Sequence, residues 1–122
     1  MTSDKTNQDQ KVDNAKAQMR KGMLEYCTLL ILAKNEAYAS QIIHLLKEAE
    51  LIVVEGTLYP LLNRLKKENM LQYRWEESPQ GPPRKYYEIT PEGLKFLDHL
   101  DISWNSLAES IEKIKTVNPK NL

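Results

Sequence analysis

Several side chains able to bind polar ligands lie on one side of a leucine-rich segment, 56–69, near the middle of the chain. They are Thr57, Tyr59, Asn63 and Arg64. A phenol can contact a phosphate or a thymine methyl group, an amide can pair with adenine, and a guanidinium can pair with guanine or phosphate. A solvated helix face has a similar composition, so the residue types alone leave nucleic-acid contact and plain solvation open.

Two other short stretches offer groups of the same kind. Arg84 and Lys85 follow a turn that contains Gly81, and a glycine lets the backbone approach a duplex closely. The alternative interpretation is a charged strand end. Ser40 and Gln41 begin a second predicted helix, where hydroxyl and amide groups commonly meet phosphates. Both stretches are therefore candidate contacts to a nucleic-acid backbone.

The residue patterns of an enzyme or a metal protein are missing from the sequence. It contains no phosphate-binding glycine loop, no nucleophile elbow and no paired carboxylates in an apolar setting. His44 and His99 have no partners at metal-ligand spacing, and a single cysteine, Cys27, excludes an intrachain disulfide. Cys27 lies among apolar residues, which favours a buried inert thiol over a redox sensor. We expect a protein without catalytic site, metal or cofactor.

The helix that carries the first group of side chains is predicted by its leucines. Leu58, Leu61, Leu62 and Leu65 follow the spacing i, i+3, i+4, i+7, which predicts one narrow buried face. Asn69 can adopt the left-handed conformation that ends a helix. The polar residues of this segment then point outward.

The elements around this helix complete a recognisable order. Hydrophobic spacing predicts helices at 15–34 and 39–50, before the leucine-rich helix, and strands at 71–76 and 84–89 after it. The proline-rich turn 77–83 joins the two strands. This order predicts a mostly α protein with a β-hairpin, namely a winged helix-turn-helix, whose third helix can enter a major groove.

The domain boundaries follow from the same pattern. Residues 1–14 contain almost no large apolar side chain, which predicts a disordered arm. We place the winged helix-turn-helix DNA-binding domain at 15–90, a C-terminal dimerisation helix at 91–117 and a flexible tail at 118–122.

The last predicted helix, which Thr90 and Pro91 start, is too long to pack wholly on so small a body, because its length is ~40 Å. Its large apolar residues alternate spacings of three and four, as in a heptad seam between two helices. We favour an intermolecular seam over packing within the chain. The seam residues are Leu97, Leu100, Trp104, Leu107, Ile111 and Ile114.

Charge is segregated along a chain whose net charge is zero, with 17 basic and 17 acidic residues. The segment 56–86 carries a net charge of +3, whereas 91–117 carries −2. Lys66 and Lys67 contribute to the positive segment and serve equally well as solubilising charge. The segregation places positive charge where a duplex would dock and removes it from the C-terminal helix.

Two long motifs resemble the PadR family of bacterial transcriptional regulators. They are EGTLYPLLNRL at 55–65 and RKYYEITPEG at 84–93, which match that family's recognition-helix and wing signatures at the right separation. The single helix after the wing resembles the small subgroup of the family. The resemblance implies a homodimer that pairs through its first and last helices.

Several members of that subgroup resemble multidrug-binding repressors with a flat apolar pore at the dimer centre. Met19, Tyr26, Leu30 and Trp104 match pore-facing positions, and Met23 lies a turn away from them. Asp101, one turn before Trp104, can attract a cationic ligand. The alternatives are a Trp104 that fills the seam and a solvated carboxylate at 101.

These observations predict a cytoplasmic transcriptional repressor with double-stranded DNA and a second copy of itself as partners. We expect it to bind a palindromic operator, to be released by a planar apolar or cationic small molecule, and to have no membrane association, because no apolar run can span a bilayer. The alternative function is a winged-helix protein-interaction module that does not bind DNA.

Overall fold

The computed structural model describes residues 6–121, which form helices and one antiparallel hairpin. The mostly helical fold class with a two-stranded hairpin is confirmed. The elements are α1 (Asn7–Lys34), α2 (Ala39–Glu48), α3 (Glu55–Lys67), β1 (Leu71–Ser78), β2 (Gly81–Ile89) and α4 (Pro91–Thr116).

Helix α1 begins eight residues earlier than the apolar spacing indicates, so the prediction of a disordered arm is wrong for residues 6–14. Thr6 and Asp9 form a capping box: the Thr6 hydroxyl accepts from the Asp9 amide at 3.1 Å, and the Asp9 carboxylate accepts from the Thr6 amide. These bonds satisfy amides that a helix start leaves unpaired, although this part of α1 is exposed. The rest of the predicted arm, 1–5, lies outside the described residues.

One hydrophobic core joins the four α-helices to the base of the hairpin. The four leucines predicted to face inward on α3 are all buried, which confirms the orientation of that helix. The other fully buried large side chains are Leu29, Ile42, Leu46 and Leu71. Because α3 buries its leucine face completely, its polar face is the one that remains available to a ligand.

The hairpin is longer than predicted because it tolerates two prolines. Its strands extend to Ser78 and Gly81, where the sequence predicted a turn over 77–83. Pro82 and Pro83 both lie opposite Glu77, where the register shifts, so they form a bulge in β2. Proline is tolerated at a bulge since the ladder is already interrupted there.

Helix α4 is anchored to the hairpin at its start. The Thr90 hydroxyl caps the helix by accepting from the Gly93 amide at 2.9 Å, and it also donates to the Asn69 carbonyl. A Cβ at Gly93 would lie 2.2 Å from the Met70 carbonyl oxygen, so only glycine permits this close approach. Asn69 adopts a positive φ of 62°, which confirms the predicted left-handed end of α3.

The seam prediction needs a correction at its N-terminal end. Leu97 is only 5% exposed and belongs to the core of its own chain, and Leu100 packs against that core, because α4 still lies on the body at this point. From Ile102 onward the large apolar residues of α4 are exposed. In the predicted flexible tail, 118–122, a short 3-10 helix covers Pro119–Asn121, and Leu122 lies outside the described residues.

Candidate nucleic-acid interface

The outward face of α3 is open to a ligand at three of its four predicted contact residues. Thr57 and Asn63 are exposed, and the Tyr59 side chain is 44% exposed beside the buried leucine face. These groups lie within two turns of one helix, and a helix with such an exposed polar surface can enter a major groove.

Arg64, the fourth predicted residue, already has partners. Its Nη2 atom lies 3.3 Å from Glu25 Oε2 on α1, and its Nη1 atom lies 3.1 Å from Glu68 Oε1 one turn further along α3. The hydrogen bond to Glu25 raises the pKa of the guanidinium. Arg64 is therefore held between two carboxylates in the free protein.

The start of α2 and the wing meet at Tyr38. The Arg84 guanidinium lies over the Tyr38 ring at 4.5 Å from its centroid, and Ser40 is exposed two residues further on. Gln41 is half-buried, and its side-chain oxygen accepts from the Tyr38 amide at 3.1 Å. Gln41 thus caps α2, whereas Ser40 and Arg84 remain open to a phosphate.

Lys85 lies on the opposite face of the hairpin, because successive residues of a strand alternate sides. Its Nζ atom lies 4.4 Å from the centroid of Tyr73 and 5.3 Å from that of Trp75. Lys66 of α3 also lies over Tyr73, at 5.2 Å. The α3-facing side of the wing therefore gathers two ammonium groups around one ring.

Ion pairing divides the cations of this region into two sets. Arg64 and Arg74 are paired with carboxylates. Among residues 6–121, no ion pair neutralises the other four cations of the predicted positive segment, which are Lys66, Lys67, Arg84 and Lys85. The positive charge available to a duplex is thus concentrated on the wing and the C-terminal half of α3.

Comparison with known proteins decides the family. Residues 28–99 match the sequence profile of the transcriptional regulator PadR-like family, which covers more than half of the chain and includes α3 and the wing. The chain belongs to the PadR-like family. The resemblance expected from the two motifs is confirmed, and the chain is a regulator of transcription rather than an enzyme.

Solved PadR structures share the fold along most of the chain. A PadR-like transcription factor from Bacteroides fragilis is 62% identical, with 83% of this chain and 98% of that chain covered and a TM-score of 0.71. A PadR family regulator from Eggerthella lenta is 30% identical, with 93% and 96% covered and a TM-score of 0.83. An uncharacterized protein of Lysinibacillus sphaericus is 33% identical over 60 residues, and the match spans about half of that relative, 55% of its length.

Two of the predicted pore residues of this PadR chain contact each other directly. The Tyr26 hydroxyl on α1 donates a short hydrogen bond to Asp101 Oδ1 on α4. This bond and burial raise the pKa of Tyr26 to about 12, so the phenol stays protonated and keeps donating at neutral pH. Helices α1 and α4, which the PadR resemblance predicts to form the dimer interface, are therefore also joined to each other within one chain.

The other predicted pore residues do not line one common surface within the chain. Met19 is 75% exposed on α1, and Trp104 is 42% exposed on α4. Met23 lines a groove of about 420 Å³ between α1 and the connection from α2 to α3, whereas Leu30 lines one of about 660 Å³ between α1 and α2. The pore itself needs a second chain and stays a prediction.

The remaining candidates behave as ordinary structural groups. Cys27 is half-buried, and burial raises the pKa of its thiol, which disfavours the reactive thiolate. His44 lies 2.8 Å from Glu48 on the surface of α2. Within residues 6–121, no three His, Cys, Asp or Glu side chains are grouped to hold a metal, and no helix is long and apolar enough to cross a membrane.

Sequence reasoning missed the residues that reach across elements. Tyr38, Tyr73 and Glu25 are partners of Arg84, Lys85 and Arg64, respectively. No local spacing marks them, because each partner lies on a different element.

Proposed function

We propose that this PadR-family chain binds a palindromic operator as a homodimer and represses transcription. The main support for the proposal is the exposed polar face of α3. It lies beside Arg84 and Lys85 of the wing, which form no ion pair with a carboxylate among residues 6–121. In the complex, Thr57, Tyr59 and Asn63 contact the bases, and two such helices enter major grooves ~34 Å apart.

The backbone contacts come from the wing and from the start of α2. Arg84 and Lys85 bind phosphates from opposite faces of the hairpin, and the Ser40 hydroxyl adds a contact beside Arg84. Each phosphate contact releases counterions, so the affinity falls steeply as the salt concentration rises.

The homodimer is supported by the exposed apolar face of α4. Trp104, Leu107, Ile111 and Ile114 are between 42% and 70% exposed on the part of α4 that extends beyond the core, and a helix partner would cover them. Leu107→Lys is expected to convert the dimer to a monomer in sedimentation equilibrium. A dimer that persists in this variant contradicts the seam.

The effector of the proposed repressor is a planar apolar or cationic molecule that binds between the subunits beside Trp104 and Asp101. A Trp75→Phe variant leaves Trp104 as its only tryptophan, because the chain has two. Quenching of its emission by a planar cationic dye such as rhodamine 6G is expected, and Trp104→Phe should weaken binding of the dye. A dye affinity unchanged in Trp104→Phe contradicts the site.

DNA binding is tested with a duplex carrying the promoter of the chain's own gene and a scrambled duplex, over a series of salt concentrations. Preferential, salt-dependent binding to the promoter is expected. The double variant R84A/K85A is expected to lose most of the affinity, whereas Lys47→Ala, at the far end of α2 from Ser40, serves as the matched control. Wild-type affinity in a folded R84A/K85A variant would contradict the wing contacts. Equal, weak binding of the wild type to both duplexes would favour the protein-interaction function.

A further inference from the structure

Two adjacent residues of α1 reach two different helices. Glu25 pairs with Arg64 of α3, and Tyr26 donates to Asp101 of α4. Neighbouring residues of an α-helix point about 100° apart, so a single step of α1 contacts both of these helices. The partners are remote in sequence, 39 residues for the first contact and 75 for the second.

The contact to α3 has a defined orientation. Arg64 Nη1 lies 3.4 Å from Glu25 Oε1, and Nη2 lies 3.3 Å from Oε2, so the guanidinium fork meets both carboxylate oxygens. A fork of this kind constrains angle as well as distance. The leucine face of α3 packs without directional bonds, and Arg64 directly follows Asn63. The fork therefore ties the outward side of α3 to α1 directly beside Asn63.

The contact to α4 lies where that helix leaves the body. Leu97 is buried one turn before Asp101, whereas Ile102 is 68% exposed directly after it. Trp104 follows within the next turn. Asp101 therefore joins α1 to the turn of α4 that directly precedes its exposed segment.

We propose that Glu25 and Tyr26 form a link through α1 by which the position of α4 sets the orientation of the recognition helix α3, with Arg64 as a positioning residue. The inference rests on the proposed function and names how that site is regulated. It assigns Arg64 to the control of α3 rather than to a phosphate. Coupling between α4 and α3 needs an element whose position depends on its contacts to both helices. In this proposal, α1 is that element.

The test is a double-mutant cycle on duplex affinity, measured by fluorescence anisotropy. Glu25→Gln and Tyr26→Phe each remove one contact while keeping the side-chain size, and Glu48→Gln, which breaks the His44 pair on α2, is the matched control. We expect E25Q to weaken specific binding about fivefold and Y26F about threefold. The double variant should match E25Q, because both changes act on one link. If the double variant instead loses affinity by the product of the two single factors, the two contacts act independently and the proposal is overturned.

A second readout separates positioning from charge. Arg64→Lys keeps the positive charge but cannot form the fork, so it should behave as E25Q does. The slope of affinity against salt should be the same in R64K as in the wild type, since the charge is kept and no phosphate contact is lost. Wild-type affinity in R64K would overturn the positioning role.

A third readout needs no DNA and therefore stands apart from the proposed function. The side-chain Nε–Hε signal of Arg64 in the nuclear magnetic resonance spectrum should shift in Y26F and stay in place in E48Q, with thermal unfolding confirming that both variants fold. An unmoved signal in Y26F would overturn the link. If the wild type binds no duplex but the Arg64 signal moves, the link stands while the proposed function fails.

Discussion

Two cations on opposite faces of the β1–β2 hairpin, Lys85 and Arg74, are held in different ways. On the side facing α3, Lys85 lies over the ring of Tyr73. On the side facing the connection between α1 and α2, Arg74 is paired with Glu36 and also with Glu76, whose carboxylate lies 2.7 Å from it. Side chains alternate between the two faces along each strand, so these two cations of one hairpin have different surroundings.

This difference shows that basic residues do not contribute equally to a DNA-binding surface. An aromatic ring attracts an ammonium group but leaves its full charge in place. A carboxylate cancels the charge and must be displaced or screened before a phosphate can bind. The count of basic residues in the sequence therefore overestimates the positive field that the folded protein offers.

The largest effect should be the loss of stability caused by replacing Tyr87, which anchors the α3-facing side of the hairpin in the core. Tyr87 is 2% exposed in the core, whereas its neighbour Tyr86 is half-buried on the other face against Tyr38. Tyr87→Ala should lower the free energy of unfolding by about 3 kcal/mol, and Tyr86→Ala by about 1 kcal/mol. Urea unfolding of both variants measures the two losses of unfolding free energy. Equal losses would contradict the conclusion that only the α3-facing side of the hairpin packs into the core.

The next effect concerns duplex affinity. Lys85→Ala should weaken binding about tenfold and reduce the salt slope by about one, because an un-neutralised cation is lost. Arg74→Ala should change affinity less than twofold, since two carboxylates already neutralise that guanidinium. Binding titrations at four salt concentrations compare the pair. A larger loss in Arg74→Ala than in Lys85→Ala would reverse the comparison.

A smaller effect should follow from releasing the paired arginine. Glu36→Gln removes one of the two carboxylates beside Arg74, which raises the local positive potential. We expect about twofold tighter duplex binding at low salt and no difference at high salt, where the charge is screened. Glu48→Gln is the control for loss of a surface carboxylate, and an equal gain in both variants would exclude a local effect.

The smallest effect should come from the exposed ring at the outer end of the α3-facing side. Trp75 is 62% exposed, so Trp75→Phe should change the free energy of unfolding by less than about 0.5 kcal/mol. Urea unfolding followed by circular dichroism measures it. A loss above 1 kcal/mol would mean that Trp75 supports the hairpin rather than lying on its surface.

Local patterns in the sequence were sufficient for much of the fold. The leucines of α3 repeat at helical spacing, the Thr90 cap precedes Pro91, and Asn69 ends α3 as expected. Each of these signals lies within a few residues of the structure it determines. The same local reasoning failed at the N-terminus, where the capping box of Thr6 outweighs the absence of apolar residues.

The candidate site was predicted as a set of residue types, but its electrostatics were not. Spacing placed Arg64, Arg84 and Lys85 on the outward side of α3 and on the wing. It did not distinguish Arg64, which is held by carboxylates, from the two wing residues, which lie over aromatic rings. The resemblance to the PadR family likewise identified positions and left their partners open.

The amino-acid sequence alone was enough to identify most of each helix, the hairpin, the buried face of α3 and the family, because hydrophobic period, caps and motifs act over short distances along the chain. Which charges are neutralised, and which helices are joined by side-chain contacts, became visible only in the folded chain. Glu25 meets Arg64 across 39 residues, and Glu36 meets Arg74 across 38. Such contacts depend on how α1 packs beside α3 and the hairpin, and no pattern within either partner's own segment encodes that packing.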